Sequence, residues 1–171
     1  MPRERRKKIV RAVDCLIALG SNKGNRISHL KRAISDIGKL PGVRILKKSR
    51  VYQTQPLGPS RRDFLNCALK IRTIRTAMGL LMEFKRLEVL SGRQPGKRWG
   101  PRPLDIDLIT YGNARIKTPW LRVPHPEAVK RAFVLVPLSE IAPRIKLDSR
   151  ATVQEALSRL KEIAGTVKLF S

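Results

Sequence analysis

The sequence predicts an α+β fold: a ferredoxin-like split βαβ core with a mainly antiparallel sheet and helices packed on it, three layers in the order α-β-α. Three observations carry this. The chain has 171 residues, 42% apolar and 29% charged, ordinary values for one globular domain. At that length roughly 70% of the unfolded surface is buried, so no disulfide or metal staple is needed. The apolar pattern then alternates between strand and helix periods in the order β-α-β-β-α-β.

The elements follow in order. Residues 13–19 are a continuous apolar run ending at Gly20-Ser21-Asn22, a buried strand with a sharp exit. Ile27, Leu30, Ile34 and Ile37 then share one helical face, and Pro41-Gly42 ends that helix. Residues 43–54 read as one strand, and 55–62, with Pro56, Gly58 and Pro59, as a loop. Residues 64–73 alternate Leu65, Cys67, Leu69 and Ile71 against Asn66, Ala68 and Lys70. Thr76 caps a helix to about residue 90 with an apolar stripe at Leu80, Leu81, Phe84 and Leu87. Residues 91–102 form a Gly- and Arg-rich loop, and 104–111 a strand stopped by Gly112-Asn113. Residues 132–138 are a strand candidate. Thr152-x-x-Glu155 is a capping box opening a last helix with Val153, Ala156, Leu157, Leu160 and Ile163 inward.

Residues 12–171 are read as a single domain and 1–11 as a basic, mobile tail. Arg11 and Asp14 interrupt the first apolar run, and no small-residue cleavage site follows, which argues against a signal peptide. No stretch approaches the roughly 20 apolar residues of a membrane span. Cys15 and Cys67 lie inside apolar runs and read as buried, reduced thiols, so a cytoplasmic protein is expected. The net charge is +24, from 37 Lys and Arg against 13 Asp and Glu, and only +5 of it belongs to residues 1–11. Such a surface favours anionic partners.

The sharpest chemical feature is Asp105-Ile106-Asp107. On a strand the two carboxylates share a face, about 7 Å apart at Cα, while Leu104, Ile106 and Leu108 take the other and face the core. Two carboxylates on one face repel unless cations sit between them. Hard oxygen donors of this kind suit Mg²⁺ with substrate phosphates, and a pair of ions roughly 4 Å apart would neutralise a polyphosphate. The alternative is a solvated strand face paired with arginines. Gly92-Arg93 and Arg98-Trp99-Gly100-Pro101-Arg102 lead into this strand. Guanidinium groups bind phosphate through paired hydrogen bonds, and Trp99 between Arg98 and Gly100 is suited to stacking on a heterocycle. Gly20-Ser21-Asn22-Lys23-Gly24 does not match a P-loop and reads as a strand-to-helix turn. His125, between two prolines, is read as either structural or binding. Neither C-x-x-C nor H-E-x-x-H occurs, which excludes the usual zinc sites.

Taken together, several stretches resemble the 6-hydroxymethyl-7,8-dihydropterin pyrophosphokinase family. They are Ile17-Ala-Leu-Gly-Ser-Asn22, Ser49-Arg-Val-Tyr-Gln-Thr-Gln-Pro-Leu-Gly-Pro59, Asp63-Phe-Leu-Asn-Cys-Ala68, Glu88 through Arg93, Arg98-Trp-Gly-Pro-Arg-Pro-Leu-Asp-Ile-Asp107, Val123-Pro-His-Pro126 and Arg131 through Pro143. They fall in order over roughly three quarters of the chain. The resemblance implies transfer of diphosphate from ATP to the pterin hydroxymethyl group with release of AMP, a place in folate biosynthesis, and Mg²⁺ as two ions. It implies that Asp105 and Asp107 hold the metal, and that Arg93 and Arg102 steady the developing charge. Lys85, Glu88, Arg93, Trp99, Leu108, Arg122, His125 and Arg131 would stand on the ATP side. Thr54, Pro56, Leu57, Asn66 and Trp99 would line the pterin pocket, with Phe64 and Phe133 sandwiching the ring.

The chain departs from that pattern at several points. Lys85 stands where the family often has Gln, Gln55 replaces a frequent proline, and Trp120 and Arg122 occupy ATP-side positions. The loops after Pro59 and after Arg93 are one residue short. Expected partners are ATP and the pterin, with no membrane, nucleic acid only through a secondary charge-driven contact, and a monomeric state. An RNA-binding module on the same fold would suit the charge, yet no RNP-type aromatic run is present. A Mg²⁺-dependent nuclease would leave the residues between Thr54 and Asn66, and Trp99, without purpose.

Overall fold

The computed structural model describes residues 11–55, 62–93, 101–160 and 167–171. The tail expected at 1–11 lies almost wholly outside them, as do Pro56, Leu57, Arg98, Trp99 and Ile163.

The central strand is β1 (Val13–Ser21). It pairs antiparallel with β4 (Phe64–Thr73) on one side, in register from Val13 opposite Thr73 to Ser21 opposite Leu65, and with β5 (Asp105–Tyr111) on the other. Beyond β4 lie β2 (Val43–Lys48) and β3 (Tyr52–Thr54), stacked end to end along the same strand. A last strand, β8 (Val167–Leu169), covers the outer edge of β3. A separate ribbon joins β6 (Ile116–Lys117) to β7 (Arg122–Val123). Among the described residues every strand pairing is antiparallel.

Helices α1 (Arg26–Lys39) and α2 (Ala77–Leu90) cover one face of the sheet. Asn25 caps α1, its Oδ1 accepting the Ser28 N–H at 3.1 Å, and Thr76 caps α2 by accepting the Gly79 N–H at 3.0 Å. Leu30, Ala33 and Ile37 of α1 and Leu80, Phe84 and Leu87 of α2 meet Cys15, Ile17, Leu19, Cys67, Leu69, Ile106 and Leu108 from the strands. After α1 the chain turns at Gly42, whose φ of +76° suits glycine; a Cβ there would also lie 2.7 Å from Ile74. Helices α3 (Ala132–Ile141) and α4 (Val153–Ser158) cover the other face over Leu16, Ala68 and Ile109. The Thr152–Glu155 capping box opens α4: Glu155 N–H donates to Thr152 Oγ1 and Thr152 N–H to Glu155 Oε2.

Three expectations are corrected. Residues 132–138 are helical. A short apolar run does not separate a buried strand from a buried helix, and the spacing of Val134, Leu135, Leu138 and Ile141 becomes helical only when the run is followed to residue 141. The strand expected at 43–54 is two strands. Between them the buried Ser49 turns inward, its N–H donating to Ala68 O at 2.9 Å and its Oγ accepting the Ala68 N–H at 2.8 Å. The hydroxyl thus replaces one ladder bond of β4. The last helix, expected to carry Leu160 and Ile163 on its inner face, ends at Ser158, so Leu160 lies past it; residues 167–169 add a strand.

Candidate active site

In antiparallel pairs, directly opposed residues show their side chains on the same sheet face. Asp105 lies opposite Gly20 and Asp107 opposite Ala18; Gly20 in turn lies opposite Asn66, Asn66 opposite Tyr52, and Phe64 opposite Thr54. One row, Asp105–Gly20–Asn66–Tyr52, crosses four strands, with Asp107 in the row beside it on one flank and Phe64 and Thr54 in the row beside it on the other, all on the face that α3 and α4 cover only in part. Leu104, Ile106 and Leu108 turn into the opposite core, as the alternation requires. Gly20 is the floor between the two groups. A Cβ there would stand 3.0 Å from Asn66 Oδ1 and 3.6 Å from the Phe64 ring. Asn66 and Thr54 are buried, and Asn66 Nδ2 donates to Thr54 Oγ1 at 2.7 Å. That bond orients the amide and leaves its oxygen towards the floor.

The acidic end is held by a chain of ion pairs. Arg93 Nη1 donates to Asp105 Oδ1 at 2.8 Å and also to Glu88 Oε2; Arg102 Nη1 donates to Asp105 Oδ2 at 2.8 Å. Lys85 Nζ reaches both oxygens of Glu88, at 3.1 and 3.0 Å. Glu88, only 1% exposed, accepts the backbone N–H of Ile106 at 2.8 Å through Oε1. Ile106 sits between the two aspartates, so this buried carboxylate fixes the strand that presents them. Burial pushes the Glu88 carboxyl above its ordinary value, against the Ile106 N–H and Lys85, which favour the charged form.

Asp107 is also pushed up, first by burial and then by the charge of Asp105; His125, Lys85 and Arg131 act in the opposite direction. Burial lowers the His125 imidazole despite the attraction of Asp107, so the ring is favoured neutral. Its Nδ1 accepts the Glu127 N–H at 3.2 Å, which leaves Nε2 to carry the proton of the neutral ring. A β-bulge places this histidine. β5 inserts Ile109 between the positions opposite Ile17 and Leu16, and the freed carbonyl of Ile109 accepts the His125 N–H at 2.9 Å. Arg131 stands at the start of α3 with its guanidinium 5.8 Å from the centre of the Phe133 ring.

Lys85, Glu88, Arg93, Arg102 and Asp105 therefore form one network, Asp107, His125 and Arg131 a second group, and Thr54, Phe64 and Asn66 a third. Leu108 is apart from them, its side chain in the core beneath α1 and α2. Arg122 is exposed on β7, lining a 280 Å³ cavity with Arg115 and Lys117. Trp120 is 79% exposed. Pro56, Leu57 and Trp99 lie outside the described residues.

Two contributors were not singled out for the site by sequence reasoning. Gly20 is one. Asn22 is the other: its Oδ1 accepts the Arg102 N–H at 2.7 Å and its N–H donates to Arg102 O at 3.0 Å, clamping the backbone from which Arg102 reaches Asp105. The Gly-Ser-Asn exit from β1 was the available signal, and it reads equally well as a turn.

Among the described residues, no group of three Asp, Glu, His or Cys side chains is placed to hold a metal. The aspartate pair alone suits an ion whose other ligands are phosphate oxygens and water, the coordination Mg²⁺ prefers. Among the described residues no helix is long and apolar enough to cross a membrane.

The family model for 7,8-dihydro-6-hydroxymethylpterin-pyrophosphokinase (HPPK) matches residues 16–143. The 2-amino-4-hydroxy-6-hydroxymethyldihydropteridine pyrophosphokinase of Methylorubrum extorquens is 41% identical over 145 residues, 84% of this chain and 91% of that protein. The Bacillus subtilis protein of the same name is 37% identical over 152 residues, 87% and 91%. The bifunctional protein FolKE of Lactococcus lactis is 38% identical over 147 residues, 85% of this chain but 42% of that longer protein. In fold, a Plasmodium falciparum HPPK-DHPS triple mutant with STZ-DHP superposes with a TM-score of 0.69 at 13% identity, over 86% of this chain and 43% of the other.

Proposed function

The chain belongs to the HPPK family and transfers diphosphate from ATP to 6-hydroxymethyl-7,8-dihydropterin in folate biosynthesis, and on that premise we propose how its own residues divide the work. The family uses ATP with Mg²⁺. Asp105 and Asp107 would hold two ions, which when bound neutralise the triphosphate. Both aspartates are half-buried, on one face, and Asp107 ionises against burial and its neighbour's charge, so a cation between them relieves a cost already built in.

Asn66, oriented by Thr54, meets the donor and acceptor edge of the pterin across the Gly20 floor. Phe64 and Phe133 hold the flat ring between them, with Pro56, Leu57 and Trp99 completing the pocket. The substrate hydroxyl attacks the β-phosphorus and AMP leaves. Such a reaction depends on positioning and charge neutralisation, with little covalent work for the protein. Arg93 and Arg102, held on Asp105 here, move their charge to the phosphates as these arrive. His125 and Arg131 hold ATP phosphates, and Arg122 and Trp99 stand on the ATP side; Leu108, its side chain in the opposite core, would meet ATP only through its backbone. Lys85 and Glu88 act through the network: Glu88 is a positioning residue for the aspartate strand, and Lys85, after the Ile106 N–H, favours its charged form against burial.

The strand order, β2 and β3 counted as one, supports a ferredoxin-like split βαβ core. Residues 12–171 act as one domain, working as a monomer in the cytoplasm. The observation that carries this reading is the row joining Asp105 to Asn66 through Gly20, with Asp107 and Thr54 in the rows beside it on the same face. The test is AMP release from MgATP with and without the pterin. AMP formation that requires pterin and disappears with EDTA is expected. ATP turnover indifferent to pterin would overturn the assignment of the Asn66 pocket.

A further inference from the structure

The same sheet face carries a second, different surface at its other end. In the β1–β4 ladder Asp14 lies opposite Arg72 and Leu16 opposite Lys70; in the β2–β4 ladder Arg44 lies opposite Arg72 and Lys47 opposite Lys70. Four cations thus project from one patch in two directly opposed like-charge pairs. Like charges directly opposite one another across neighbouring strands are destabilising. Asp14 is the one acid in this register. It accepts Arg72 at 2.7 and 3.2 Å and Lys70 at 3.3 Å, so its single charge is divided between two β4 cations. Arg44 and Lys47 are exposed and have no acidic partner among the described residues. Arg44 and Lys47 stand on β2, three strands across from β5, and Asp14 lies six positions, about 20 Å, along β1 from Gly20, so the patch is separate from the active site.

We propose that this β2–β4 face is a binding surface for single-stranded nucleic acid, held through its phosphates. Each opposed pair repels until an anion bridges it. Lys70 and Arg72 are two residues apart, about 7 Å along β4, a span comparable with the reach between neighbouring phosphates of an extended polynucleotide. Arg44 supplies a planar fork suited to phosphate oxygens, and Arg72, its Nε and Nη2 on Asp14, offers Nη1. No aromatic side chain stands in these rows for bases to stack on, so binding is sequence-independent and strongly salt-dependent. The net charge of +24 draws polyanions to the molecule; these rows, four cations against one acid, fix where they settle.

The experiment measures fluorescence anisotropy of a labelled 20-nucleotide polyuridine RNA with the full chain over a series of KCl concentrations. The double variant R44Q/K47Q is compared with K31Q/K39Q, which removes the same charge from exposed positions of α1 on the opposite face. The expected result is that R44Q/K47Q weakens binding about tenfold at moderate salt and lowers the salt slope by about 1.4, at about 0.7 per phosphate contact. K31Q/K39Q leaves both unchanged, and AMP release is unaltered in each. R44Q/K47Q also melts no lower than the parent at low salt, because it removes repulsion. Equal weakening by both variants would mean diffuse charge and overturn the proposal. So would no weakening by either, or loss of binding to anionic phosphatidylserine vesicles with RNA binding intact, which would assign the patch to a lipid surface.

Discussion

The two faces of this sheet are built from the same strands and differ in nearly everything else. Beneath α1 and α2, every second residue of β1, β4 and β5 is apolar and enclosed, from Cys15 to Leu19, Cys67 to Ile71 and Ile106 to Leu108. On the opposite face, α3 and α4 cover the middle of the sheet, over Leu16, Ala18, Ala68 and Ile109. Asp105, Asp107 and Asn66 stand at one end of that face, and Asp14, Lys70 and Arg72 at the other. The enclosed face pins the strands, and the part-covered face can then hold groups that repel one another. A carboxylate pair is tolerable at Asp105 and Asp107 because Ile106 between them is locked from behind, by the core and by Glu88.

The comparison breaks most clearly at the acidic end. Asp107→Ala is expected to cut the rate of pterin-dependent AMP formation by on the order of 10³-fold, several kcal/mol of transition-state stabilisation. Its urea midpoint should stay close to that of the parent, because no core contact is lost. Near-normal turnover would remove Asp107 from the metal site. On the enclosed face the pattern reverses. Leu69→Ala should lower unfolding free energy by about 2–5 kcal/mol, as large-to-small core changes do, while the protein still folded keeps the parent KM for both substrates.

Smaller changes sharpen the contrast. Gly20→Ala adds a methyl group 3.0 Å from Asn66 Oδ1, so KM for the pterin should rise about tenfold, roughly 1.4 kcal/mol, with KM for ATP unchanged. A rise in the ATP KM alone would move the pterin pocket elsewhere. The mildest effect is expected at the far end. The hydrogen bond from Arg72, ahead of opposing burial and aided by Lys70, holds the Asp14 carboxyl below its ordinary value. A lowered carboxyl pKa stabilises the fold above the ordinary Asp range, and that contribution fades as pH falls through the lowered value. Asp14→Asn should therefore be less stable than the parent at pH 7, with the gap closing in acid. A gap constant with pH would show the pairing to contribute nothing.

Much of this was legible in the chain. The alternation around Asp105-Ile-Asp107 places the two carboxylates on one face, Thr76 and the Thr152–Glu155 box begin their helices, and the two cysteines read as buried thiols. Both are free, and burial raises each to about 12, so neither is a ready nucleophile near neutrality. These readings succeed because the signal lies within two to four residues of the group concerned. A strand's period, a capping hydroxyl and a thiol in an apolar run need no knowledge of distant partners.

What only the tertiary structure decided lies beyond that range. Glu88 became the clamp of the aspartate strand through a bond to Ile106, 18 residues on; Ser49 broke a strand through Ala68, 19 residues on; Arg50 and Tyr52 tied β3 to α3 through Glu140, some 90 residues away. Residues 132–138 took the helical form because a run that is apolar all round satisfies its backbone either way, and the layer available above Leu16 and Ala68 was a helix layer. The sequence determined which groups share a face; the choice of which groups meet across the fold was made by packing, where burial of the whole exceeds any local preference.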